Sequence, residues 1–189
     1  MKTLQGLAIV ALALSVLFVT ACEYDAPLTK KHTIAIDEAV LGLWQAVPED
    51  EAAADEEAMS VGDGEMLEEP APPSLLVLKF SDTEYVVVYA EDDESMYFRA
   101  YPIKIGDTEC VQMQAIGTEE GSVDDDDSNR FMVMKYEISA AGHLSVRMLD
   151  SDVVDSMLTD SDSLKAAFLE HEHDENLFSD EALVFPRAK

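Results

Sequence analysis

Phe131-Met132-Val133-Met134-Lys135-Tyr136-Glu137-Ile138-Ser139-Ala140-Ala141-Gly142-His143-Leu144-Ser145-Val146-Arg147-Met148-Leu149 is the stretch that decides the fold. Met132, Met134, Tyr136 and Ile138 recur at every second position, with Lys135 and Glu137 between them. Leu144, Val146 and Met148 alternate in the same way with Ser145 and Arg147. A period of two places each set on one face of a strand, so one face is buried and the other is wet. Ala140-Ala141-Gly142 is turn chemistry, and so short a connection joins only antiparallel partners.

Similar segments lie upstream. Leu75 to Phe80, Tyr85 to Ala90, Met96 to Ile105 and Cys110 to Ile116 are rich in Val, Ile, Tyr, Phe and Met. They are separated by Ser81-Asp82-Thr83, Glu91-Asp92-Asp93-Glu94 and Gly106-Asp107, which read as turns. Pro102 interrupts the longest segment and marks an edge, a bulge or a bend. Leu41 to Val47, closed by Pro48 and holding the single Trp of the chain, reads as the first strand. After Asp150 the period becomes helical: Val153, Val154, Met157 and Leu158, then Leu164, Ala167, Phe168 and His171. One or two helices are expected from about Ser151 to Glu172, followed by a closing strand over Ala182 to Pro186. The fold class that results is mainly β: an antiparallel meander of about eight strands forming a barrel or sandwich, with one or two helices before the last strand. An open sheet packed on the helices is the alternative.

Gly42-x-Trp44, near the start of the first strand, resembles the Gly-x-Trp that opens lipocalins. The resemblance covers three positions, and the helix here falls before the last strand, where lipocalins place it after. It implies a lipocalin-like barrel and a ligand-binding role. A barrel of eight strands is just wide enough to be packed solid or to hold one small ligand. The candidates to line such a cavity are Trp44, Tyr97, Tyr101, Met113, Met132, Met134, Tyr136 and Met148, because Met is adaptable and polarizable and suits an apolar guest.

Charge bounds the partners. The chain has 189 residues, with 40 acidic against 12 basic side chains and a net charge of −28. Nucleic acid and a polybasic grip on anionic lipid are both disfavoured by that sign. From residue 49 to residue 74 the sequence is acidic and Pro-rich, with Glu49-Asp50-Glu51, Asp55-Glu56-Glu57 and Pro72-Pro73; this composition predicts a disordered excursion from the domain.

At the amino end, Lys2 precedes an uncharged apolar core from Leu7 to Val19, too short for a transmembrane helix, which needs about 20 residues. The segment closes on Val19-Thr20-Ala21-Cys22, which resembles the lipobox of bacterial lipoproteins. That resemblance implies a signal peptide over 1–21, cleavage after Ala21, a covalent diacylglycerol on the Cys22 sulfur with acylation of the new amine, and no cofactor. It also implies a membrane partner through that lipid. Glu23, where an Asp commonly retains such proteins in the inner membrane, implies sorting to the outer membrane. The expected organisation is a tether over 22–36 and a single β-rich domain over 37–189. Removing 1–21 takes away Lys2 and no acid, leaving 11 basic against 40 acidic residues and a net charge of −29. Cys110, the only other cysteine, then has no partner within the chain and reads as a buried apolar side chain.

His171-Glu172-His173-Asp174-Glu175 is the one dense group of potential ligands. His171 and His173 share a side only if the backbone is extended; in a helix they stand about 200° apart and cannot share a metal. No nucleophile elbow, P-loop, zincin or dinucleotide motif is present. The expectation is a non-enzymatic envelope lipoprotein acting as a binding or structural accessory with an envelope protein as partner. The alternatives are a carrier of a small apolar ligand and a metal- or carboxylate-assisted enzyme of the periplasm.

Overall fold

The structure, a computed structural model, describes residues 24–46, 72–92, 94–123 and 130–188. The expected signal segment, Cys22 and most of the acidic excursion lie outside these residues. Among these residues nine strands follow one another: β1 (Gly42–Gln45), β2 (Ser74–Lys79), β3 (Tyr85–Glu91), β4 (Glu94–Ile105), β5 (Thr108–Thr118), β6 (Gly121–Ser122), β7 (Phe131–Ile138), β8 (His143–Met148) and β9 (Leu183–Pro186). Every pairing is antiparallel, in the order β1-β2-β3-β4-β5-β7-β8-β9, with β6 a short return onto β5. The sheet is a meander nearly closed into a barrel. Its free edges meet where Ala188 N–H donates to Leu43 O at 2.9 Å and Trp44 bridges to Arg187.

Alternation along the strands divides the apolar side chains into two clusters. Val77, Val87, Phe98, Met113, Met132, Leu144 and Phe185 face inward and fill the barrel with Trp44. Tyr101, Ile103, Ile105, Cys110 and Val133 face outward on β4, β5 and β7, where a second layer covers them. That layer is a single helix, α1 (Ser161–Glu170), which contributes Leu164 and Phe168, together with the segment from Tyr24 to Leu28. Leu164 and Phe168 stand four residues apart, hence on one helix face, and neither is exposed to solvent. Burying each contributes about 1.5–3 kcal/mol.

The residues expected to be a tether are therefore packed from Tyr24 onward. Tyr24, Ala26, Pro27 and Leu28 are all buried where the segment bends across that surface. Tyr24 exchanges backbone hydrogen bonds with Phe131 at 3.1 and 3.0 Å, and its hydroxyl donates to Val154 O at 3.0 Å. From there the strap runs across the outer face to Ile36, whose N–H bonds Asp82 O.

One helix forms where one or two were expected. Asp150 and Asp155 turn their carboxylates onto the N–H groups of Asp152 and Met157, offering the backbone an alternative to helix, so 151–157 stays a run of turns. Asp160 caps α1 itself, accepting from the N–H groups of Asp162 and Ser163. Pro102 lies within β4 at a local edge, because β3 pairs no further than Ala100 and Pro102 has a partner only on β5.

Candidate functional site

The barrel interior carries a cavity of about 50 Å³. Three of the residues expected to line it do so, namely Met113, Met134 and Tyr136, beside Tyr85, Val87 and Phe185. Trp44 and Met132 are buried in the same core, and Met148 packs against it, without lining the space. Tyr97 and Tyr101 are not inside. They alternate with Phe98 and Ala100, which are, so Tyr97 pairs across to outward Val88 and Tyr101 joins the outer cluster. The two share one parity on β4, opposite to Phe98 and Ala100, and a pleated strand that turns those two inward turns both tyrosines outward.

A cavity of about 150 Å³ accepts benzene, and drug-sized ligands occupy roughly 300–1,000 Å³. At about 50 Å³ the interior is closer to a filled core than to a binding chamber. The polar groups at its end are already engaged. The Tyr136 hydroxyl donates to the Asp37 carboxylate at 3.2 Å, and the Tyr85 hydroxyl accepts from Asp37 N–H at 2.7 Å. Burial raises the pKa of both phenols, so neither ionises near neutrality.

Trp44 shuts the other gap. Its indole N–H donates to Val40 O at 2.8 Å, and the Arg187 guanidinium lies 4.3 Å from the ring centre. Arg187 also donates to Leu41 O at 2.9 Å and to Ala39 O at 2.6 Å. Gly42 has φ +124°, and a Cβ there would stand 3.0 Å from the guanidinium nitrogen. The glycine of Gly42-x-Trp44 thus has a physical role in this chain: it leaves room for the arginine that latches β9 to β1.

The most polar constellation lies outside the barrel and was not singled out from the sequence. Glu84, 7% exposed, accepts from Arg99 through both oxygens at 2.9 and 2.7 Å and also contacts His32 Nδ1. Hydrogen bonding from Arg99 holds its carboxyl below the usual range, and the bond from His32 adds to this. His32 stacks on Tyr101, their ring centres 3.5 Å apart. Gln112, fully buried, bonds the Tyr101 hydroxyl and both accepts from and donates to the backbone of Thr29. Burial pushes the Tyr101 phenol up to about 12. A carboxylate pinned by a bidentate arginine is a poor base. The contacts of this network instead fasten the strap to β3, β4 and β5. The available signal was parity: Arg99, Tyr101 and Gln112 fall on outward positions of β4 and β5, and Glu84 immediately precedes inward Tyr85 at the start of β3.

His171 caps the C-terminal end of α1 and lies 3.9 Å from Asp174. Glu172, between the two histidines, is committed elsewhere, accepting from Asp107 N–H and, at 3.0 Å, from Thr108 N–H on the β4–β5 turn. Among the described residues no three His, Cys, Asp or Glu side chains converge as a metal site. Cys110 is 5% exposed, and burial raises its thiol to about 12. A shallow polar groove of about 240 Å³ lies on the outer face of β7 and β8, lined by Lys135, Ser145, Arg147, Glu175 and Phe178. No helix among the described residues is long and apolar enough to cross a membrane.

Fold and site together define a small, mainly β protein: a nearly closed meander barrel with a filled interior, a Trp–Arg latch and a clamped N-terminal strap. Compared with family models, with curated proteins and with solved structures, the chain matches none.

Proposed function

We propose that this protein is a lipid-anchored component of the bacterial cell envelope, held through Cys22, whose barrel serves as a non-enzymatic binding or structural accessory. The observation that carries the reading is the end of the apolar segment, Val19-Thr20-Ala21-Cys22, placed two residues before Tyr24, the first described residue, which is buried. Cleavage after Ala21 would leave a mature chain that begins at the edge of its own domain. Several acyl chains at ~0.8 kcal/mol per buried CH₂ suffice to hold such a chain on a bilayer whatever its net charge. Glu23 favours the outer membrane. The test is expression of the wild type and Cys22→Ser in a Gram-negative host, followed by membrane fractionation and intact mass. The wild type should sediment with membranes and carry the mass of the lipid, whereas the variant should be soluble. A Cys22→Ser protein that stays with membranes would overturn the reading.

A second reading, a carrier of a small apolar ligand, has one observation in its favour: the cavity beside Met113 and Met134 is wholly apolar, and methionines repack readily. Native mass spectrometry of protein from its own host would show a bound species if the methionines swing aside for a guest.

A further inference from the structure

We infer that the strap-covered side of the barrel is its membrane face, seated on lipid headgroups at Met157, with Lys30 and Lys31 exposed farther along the strap. The inference rests on the lipid anchor at Cys22 proposed above.

Reach sets the geometry. Only Glu23 separates Cys22 from Tyr24, and two residues of extended chain span at most about 7 Å. Tyr24 is 1% exposed and fixed to Phe131 and Val154, so it cannot swing out to lengthen the leash. A lipid on the Cys22 sulfur lies at the boundary between headgroups and acyl chains. The wall of the barrel at β7 is then within one or two headgroup diameters of that boundary. The expected tether over 22–36 would have allowed the domain to stand away and tumble; a strap packed from residue 24 does not.

What the protein presents on that side agrees with a lipid surface. The turns at 151–157 accept the Tyr24 hydroxyl at Val154, and three residues on Met157 is 81% exposed, the most exposed large apolar side chain among the described residues. A flexible apolar side chain at the tip of a turn can enter the headgroup layer at small cost. Lys30 and Lys31, on the same strap, are the only adjacent pair of basic residues in the sequence, and both are exposed. Neither has an ion pair among the described residues, although the chain has 40 acids. Ile34, 37% exposed, follows on the strap. Asp152 and Asp155 are exposed on the Met157 turns and oppose anionic lipid, so the seat is shallow and the anchor supplies most of the binding.

The opposite wall is the natural control. In a closed circle of eight strands β1 stands across from β5, whose outer face is covered by the strap and α1. Leu43 on β1 is 44% exposed. Exposed apolar side chains therefore occur on both sides, and only one side carries the anchor.

The experiment uses lipidated protein in vesicles of phosphatidylethanolamine and phosphatidylglycerol. An environment-sensitive fluorophore is attached to Met157→Cys, to Lys31→Cys or to Leu43→Cys. Cys110 does not compete for the label, being buried with a raised thiol pKa. Lipids brominated near the headgroup should quench the probe at 157 by about twofold or more, as for a side chain at the headgroup boundary. Quenching should be weaker at 31 and absent at 43. A probe at 43 quenched as strongly as that at 157, or no quenching at 157 in protein that sediments with vesicles, overturns the membrane face and leaves the anchor standing. Wild-type protein that does not sediment at all, or a Cys22→Ser variant that does, removes the anchor and the membrane face together.

Discussion

Replacing Arg187 by Met should open the barrel at its seam without emptying the core. The substitution keeps an apolar stem over Trp44 and removes the guanidinium, which lies 4.3 Å from the ring centre. A cation–π contact at an exposed site contributes about 0.5–1 kcal/mol. The two bonds to Leu41 O and Ala39 O are charge-assisted, but Arg187 is exposed and water can replace it. Each is therefore taken at about 0.5 kcal/mol, the scale of exposed polar pairs. The total is ~1.5–2 kcal/mol. With a urea m-value of about 1.5 kcal/mol/M, the midpoint should fall by roughly 1 M. The assay is the fluorescence of the chain's single Trp, which sits in the seam itself and is fully buried, so its emission should shift to the red as urea opens the barrel. Hydrogen exchange supplies an independent reading, since the Ala188 amide bonded to Leu43 O should lose protection before the amides of β4 and β5. A midpoint unchanged within error, with Ala188 equally protected, would refute the latch and leave side-chain packing as the sole reason the edges meet.

Glu84→Gln should weaken the strap clamp by about 1–3 kcal/mol at neutral pH, because a buried acceptor of charge-assisted bonds becomes a neutral one. The folded carboxyl titrates below its unfolded value, so its contribution is present above about 4.3 and is lost as pH falls through the lower folded value. Urea midpoints measured across that acidic window should decline less steeply in the variant than in the wild type; parallel declines would refute this. Gly106→Ala should lower Tm by about 5 °C, since φ is +60° and a Cβ would collide with the Glu172 carboxylate that caps the same turn. Phe168→Ala should cost about 3–5 kcal/mol and, by loosening the outer layer, make Cys110 react with a thiol reagent far faster than in the wild type; an unchanged labelling rate would show that α1 does not guard it.

Much of the fold was legible because one face of most strands is buried and the other is wet. Alternation in Phe131–Ile138 and His143–Met148 gave both strands, their hairpin and the inward side chains, since period-two burial leaves a direct trace in composition. Where both faces are buried the trace disappears. On β4 and β5 the outer face is covered by α1 and the strap, so Tyr101, Ile103 and Cys110 look as apolar as Phe98 and Met113, and Tyr97 and Tyr101 were assigned to the wrong side. The 151–157 turns were read as helix because their apolar spacing is helical, while the local hydrogen bonds of Asp150 and Asp155 prevail over it. The strap was read as a tether because its composition is mixed, with Pro27 and Lys30-Lys31 and no period, and only the receiving surface shows which of its residues are anchors. The Glu84 clamp joins residues 29 and 32 to 84, 99, 101 and 112, separations at which no local spacing rule operates.

The sequence by itself determined the class of fold, the order of the strands, the excess of negative charge and the lipobox-like ending at Cys22, because each depends on neighbours in the chain. Only the tertiary structure decided that the barrel closes through Trp44 and Arg187, that its interior holds about 50 Å³ of space, and that the chain is pinned from Tyr24 onward. Closure, cavity volume and docking depend on which surfaces meet. That is set by packing between residues up to about 150 positions apart and leaves no mark in the spacing of either partner.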